Sequence, residues 1–187
     1  MQEAWTWEHL ALTRARVVGG NAALGADVET VRARVLVAKG PGDTVLSDVA
    51  EMRGRIAAAK PAQGILDAKI GPGRLQDVEL TAQALALRAG QPARETDAQI
   101  AAGLGAGLLG EADAQVLTEA ATLFWQLQAT GKLLSGGVLD PAELGEGGRR
   151  LILRETGAES ISALEKRIET VSAAAAGMIT RLLGDTA

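Results

Sequence analysis

Apolar residues recur along most of this chain at spacings of three and four, the period of a helix face, and almost nowhere at the spacing of two that marks a strand. The pattern predicts an all-α fold, a helical bundle of about eight helices. From Ala4 the series Trp7, Ala11, Ala15 and Val18 marks one face of a first helix, which Gly19-Gly20 should end. Leu24, Val28, Val31 and Val35 mark a second, stopped by a Gly40-Pro41-Gly42 turn. Val45, Val49, Met52 and Ile56 mark a third, with Asp43 or Thr44 as N-cap and Pro61 after its end.

Residues 61–72 break the helical period and read as a shaped loop, with Gly71-Pro72-Gly73 closing it. Leu75, Val78, Ala82 and Leu85 line the inner side of a fourth helix. Thr96 and Gln99 have the spacing of a capping box for a fifth. A sixth should run from Glu111 to about Leu134, carrying Phe124 and Trp125. Asp140, Pro141 and Glu143 supply N-cap, N1 proline and N3 acid for a seventh. The last, capped by Ser160 or Ser162, carries Leu164, Ile168, Val171, Ala175, Met178 and Leu182 on one stripe. Short connections make residues 1–187 one helical domain, with a possible subdivision near Gly90 to Ala93 (90–95). No solenoid-length repeat is visible. Clustered Gly103, Gly105 and Gly107 suit a close helix crossing.

Composition narrows what such a bundle could do. With 187 residues the chain can bury a sizeable core, and with no Cys it offers neither disulfide nor thiolate chemistry, in keeping with a cytoplasmic, reducing compartment. A net charge of −4, without a basic block, argues against nucleic acid as a partner. So does the absence of Tyr, which leaves Trp5, Trp7, Phe124 and Trp125 as the aromatic residues. The N-terminus lacks the basic start and apolar run of a secretory signal, and no stretch has the roughly 20 apolar residues of a membrane span. An apolar pattern already under way at the first residues suggests a start inside a longer chain.

Candidate chemistry is sparse. One His, His9, leaves little material for Ser-His-Asp or zinc hydrolysis, and it reads as a capping or buried hydrogen-bonding group. Asp27 and Glu29 stand about 200° apart on a helix and cannot share a metal. The tryptophans are expected to pack, in the core or at an interface. Asp77 falls in a helix's first turn, where the macrodipole favours it. Glu79 lies with Leu75, Ala82 and Ala86 on a mostly apolar stripe and needs a partner to offset desolvation: Gln83, or Arg14 or Arg16 of the first helix.

Two segments are more specific. Residues 4–18, AWTWEHLALTRARVV, and residues 67–83, DAKIGPGRLQDVELTAQ, resemble two signature blocks of the glutamine synthetase adenylyltransferases, in matching order and separation. The first block is closer to the wording of the C-terminal, adenylylating half of those two-part enzymes. Arg74 stands where a second glycine is usual, and Val78 and Leu80 replace Ile and Phe. The resemblance implies a helical domain supporting AMP transfer from ATP to a tyrosine of glutamine synthetase, while the other half removes AMP by phosphorolysis. Its implied partners are the enzyme's own nucleotidyltransferase domain, glutamine synthetase and the PII signal protein.

ATP and Mg²⁺ are implied for the complete enzyme, but the family's metal-holding aspartates precede the first block. This chain alone should therefore have no cofactor, no metal site, no catalytic residue and no activity. Arg14, Arg16, Lys69, Gly71 and Gly73 are the candidates to face nucleotide or partner, the last three through a loop whose free N–H groups could hold an anion. Glu79 is the candidate structural ion-pair residue. A related helical domain occurs in PII uridylyltransferases, an alternative the WTWEH wording disfavours. A free-standing, non-enzymatic helical adaptor is the other.

Overall fold

A computed structural model describes residues 4–40 and 44–184, so Pro41, Gly42 and Asp43, and the turn and cap expected of them, lie outside the described residues. Among the described residues the chain forms eight helices and no strand. They are α1 (Thr6–Arg14), α2 (Ala22–Lys39), α3 (Val45–Ala59), α4 (Leu75–Arg88), α5 (Thr96–Gly105), α6 (Glu111–Leu134), α7 (Glu146–Thr156) and α8 (Ile161–Leu183). No described helix is long and apolar enough to cross a membrane.

The core is built around α4, which packs against every other helix except α7. Ten of its residues are buried, the expected Leu75, Val78, Ala82 and Leu85 among them. Close approach on one side is set by Gly103 of α5. A Cβ there would stand 2.9 Å from Leu85 Cβ and 2.9 Å from Leu109 Cδ2, so the two helices cross where a side chain is missing. The second half of the bundle is α6 packed on α7 and α8, with Phe124, Leu127, Ile168 and Met178 buried between them. Ser160 caps α8, its hydroxyl accepting from Ala163 N at 3.1 Å.

Four expectations are corrected. α1 ends at Arg14, and Ala15 is extended, well before Gly19. The reason is a guanidinium: Arg32 of α2 donates from Nε to Leu12 O at 2.9 Å and from its terminal nitrogen to Thr13 O, taking the carbonyls that a longer helix would bond internally. Secondly, the apolar stripes of α1 and α2 do not face the core. α1 buries Thr6, His9, Leu10 and Thr13 while Trp7 is 56% exposed, and α2 buries only Arg32 and Leu36. Trp5 and Trp125, at 72% and 64% exposed, are likewise no part of the core.

Thirdly, Thr96 is the first helical residue of α5 rather than its cap. Gln99 is buried and donates back to Ala93 O at 3.1 Å instead of closing a capping box. Fourthly, Asp140-Pro141 opens only a single turn: Asp140 Oδ1 accepts from Ala142 N at 2.8 Å, closing an Asx-type turn. Arg149 then donates to Leu144 O at 3.0 Å and to Pro141 O at 2.8 Å, and α7 starts at Glu146 after Gly145.

Candidate functional site

The two segments 4–18 and 67–83 lie far apart in sequence but pack together, α1 against α4. Where the end of α1 meets the second turn of α4, Arg14 reaches Glu79, guanidinium to carboxylate Oε2 at 3.3 Å. An open cleft of about 680 Å³ begins there, walled by the end of α1, the first half of α4, the start of α5 and the middle of α6. Arg14, Arg16 and Arg94 bring three positive charges to it, Glu79, Glu95 and Asp97 three negative ones, and Trp125 an exposed indole.

These cations differ in freedom. Arg94 is committed to structure: it donates from Nε to Ala15 O at 2.9 Å and pairs with Glu29 of α2. Partial burial pushes the Glu29 carboxyl up, but the Val17 N–H bond and the charges of Arg94 and Arg32 outweigh it, so it titrates below its usual 4.5. Arg32, 4% exposed at its side chain, also donates to Pro92 O at 3.1 Å. Burial first, and the like charge of Arg94 second, lower its pKa against the opposing pull of Glu29. Arg16, by contrast, is exposed on the extended segment after α1 and has no partner. The cleft thus sets the exposed Arg16 guanidinium near the exposed Trp125 indole, with the threonines Thr96 and Thr122 also in its wall.

The 60–74 loop sits apart from this cleft. Its shape is set by Asp67, 2% exposed, whose carboxylate accepts from the N–H groups of Gln63, Lys69 and Ile70, each at 3.0 Å. Arg74 donates to Gly64 O at 3.1 Å and to Asp67 O, so the residue in place of a second glycine braces the loop. Burial lowers the Arg74 pKa, and Asp67 opposes the shift.

Gly73 N–H is taken by Asp77 Oδ2 at 2.8 Å. The expectation that Gly73 offers a free N–H to an anion is therefore corrected: Asp77 occupies it, as Asp67 occupies that of Lys69. Asp77 is further held by a bidentate pair with Arg53 of α3, the second contact at 2.9 Å. Gly71 and this pair line a smaller cavity of about 230 Å³ between the end of α3, the loop and the end of α8. Lys69 projects from the loop, exposed and without an ion-pair partner.

Sequence reasoning missed Arg32, Arg53, Arg94 and Asp67. For Arg32 a signal existed: Glu29, Arg32 and Leu36 share one side of α2, the side that is buried. Glu79 is partnered by Arg14, but with Arg14 58% and Glu79 23% exposed at their side chains the pair is a solvated one, so the several kcal/mol of a buried pair does not apply. His9 is buried and its Nδ1 lies 2.9 Å from Trp5 O, a local hydrogen-bonding role. No group of three or more His, Asp or Glu side chains that could share a metal ion occurs among the described residues.

The fold is an all-α bundle, and the open cleft lies where α1, α4, α5 and α6 meet. No family model matches the chain. Relatives do. It is 38% identical over 178 residues, 92% of its length, to the bifunctional glutamine synthetase adenylyltransferase/adenylyl-removing enzyme of Rhizobium meliloti. The enzymes of the same name from Rhodopseudomonas palustris and Mesorhizobium japonicum are 34% identical over 98% of the chain and 35% over 91%. The chain is homologous to a helical region of the glutamine synthetase adenylyltransferases. It spans only 18 to 19% of the length of these relatives.

Proposed function

We propose that this chain is a helical region of a cytoplasmic glutamine synthetase adenylyltransferase, standing beside the nucleotidyltransferase domain and forming one wall of the cleft in which AMP passes from ATP to a tyrosine of glutamine synthetase. The observation that carries this reading is the meeting of the two resembling segments at one place, Arg14 and Arg16 from the first beside Glu79 from the second. In the complete enzyme, ATP and Mg²⁺ belong on the nucleotidyltransferase domain. The role of this chain is to place cations, Arg16 foremost, opposite the phosphates or an acidic group of the partner. Glutamine synthetase and the PII signal protein are the proposed partners, and Lys69 on the exposed loop is a second contact to them.

The test is Arg16→Ala in the complete enzyme. Because Arg16 has no structural partner, its loss should leave the melting temperature unchanged. It should lower kcat/KM for AMP transfer at least about tenfold, equivalent to roughly 1.4 kcal/mol. Unchanged kinetics would remove the cleft from the reaction.

A further inference from the structure

α2 carries a stripe of aliphatic side chains on its outward side. Residues turn by about 100° and rise about 1.5 Å each, so Leu24, Val28, Val31 and Val35 form one stripe about 17 Å long. They are 63%, 49%, 49% and 37% exposed. The side chains that α2 buries, Arg32 and Leu36, stand along one edge of that stripe. Val17 widens the patch: its Cγ1 lies 3.3 Å from where a Cβ on Gly25 would stand, and it is 40% exposed, with Val18 at 86%. Along the opposite edge, Asp27 and Arg34 are exposed and have no partner.

Six aliphatic side chains on one outward face make a patch of roughly 300–600 Å², the kind that marks an interaction surface. Stable association of separate chains takes about 800 Å² from each partner, so the patch is small for a free-standing dimer. It suits a contact between domains of one chain, where the two sides together bury about 600–1,500 Å² and tethering removes most of the entropy cost of association. The relatives supply such a neighbour, since this region is 18 to 19% of their length.

The geometry points to the outward stripe of α2 as the seat of another domain of the same polypeptide. The surface it meets is apolar over about five residues of strand or three turns of helix, with a cation opposite Asp27 and an anion opposite Arg34. This rests on the proposal that the chain is one region of a longer enzyme, but not on the cleft or on Arg16.

Hydroxyl-radical footprinting of this chain and of the complete polypeptide tests it, because the readout is side-chain oxidation and is independent of AMP transfer. Leu24, Val28 and Val31 should oxidise freely in this chain alone. In the complete polypeptide they should be protected at least about threefold, with no dependence on protein concentration. Protection that grows with concentration would assign the stripe to a second copy, and protection only after glutamine synthetase is added would assign it to that partner. Either result, or no protection at all, overturns the inference. A Val28→Asp, Val31→Asp double variant of the complete polypeptide should return Leu24 and Val35 to the oxidation rate of this chain. Continued protection at those two positions in a folded variant would also overturn it. Should the variant not fold, the wild-type comparison decides alone.

Discussion

α4 and α2 are written in much the same alphabet of Leu, Val and Ala with scattered charges, yet α4 buries ten of its 14 residues and α2 two of its 18. The difference lies in what each turns inward. α4 inserts Val78, Ala82 and Leu85 among six neighbouring helices. Of the described helices α2 packs against α1 and α4, and it docks through a guanidinium that gathers carbonyls from α1 and from the loop before α5. A helix can thus be fixed to a bundle by satisfying backbone groups as well as by burying methyl groups. Helical period shows that both segments are helices; it does not show which face meets the core.

The largest expected effect is at the α4 end of that comparison. A Cβ on Gly73 would stand 2.0 Å from Ser172 O, at a backbone φ of +68°. Gly73→Ala should therefore cost about 3–5 kcal/mol in strain and displaced packing, and lower the melting temperature by roughly 10–15 °C. A shift of a degree or two would mean that the loop does not seat on α8 as described.

Arg32→Met is the counterpart in α2. It keeps the stem but strips a donor from the Leu12, Thr13 and Pro92 carbonyls; Leu12 O keeps the Ala15 N–H, while a carbonyl left buried and unsatisfied costs about 1–3 kcal/mol. A total of about 2–4 kcal/mol is expected, part being recovered by water, with faster amide exchange at the end of α1. If stability were unaffected, the guanidinium account of α2 docking would fail.

How far the sequence reveals this molecule depends on whether the local signal has a distant competitor. α6 and α8 are legible because their stripes are long and their ends carry no rival. The seventh helix start at Asp140 is locally well formed, but the competitor is Arg149, nine residues on, which claims the turn's carbonyls. α1 fails for the same reason, with Arg32 the competitor. At the candidate site, helix faces narrow the partner of Glu79 to Gln83, Arg14 or Arg16, and Arg14 is the one it meets. The roles of Asp67 and Asp77 as organisers of loop amides could not be read this way, because nothing in residue type separates an acid bound to backbone N–H groups from one in water.

Smaller effects sharpen the comparison. The acid limb of the stability curve should carry a mark of Glu29. Its folded-state pKa lies below the usual 4.5, so its contribution is fully present above that value and is lost as the pH falls through the lowered one. Glu29→Gln should flatten part of the melting-temperature decline below about pH 4.5, as thermal melts between about pH 3 and 6 would show. A steeper decline in the variant would contradict the direction. Smallest of all, Glu79→Ala breaks a solvated pair and should cost no more than about 1 kcal/mol, within roughly 4 °C in melting temperature.

The account turns on α2 facing its valines to solvent and its guanidinium inward, and the absence of Cys from the chain makes this directly measurable. Single-cysteine variants Val28→Cys and Leu36→Cys, labelled with a small maleimide in this chain at dilute concentration, report the two faces side by side. The account predicts that the thiol at position 28 reacts at nearly the rate of an unfolded peptide and the one at position 36 at least about a hundredfold more slowly. Protection at 28 with ready labelling at 36 would mean that α2 is mounted the other way round.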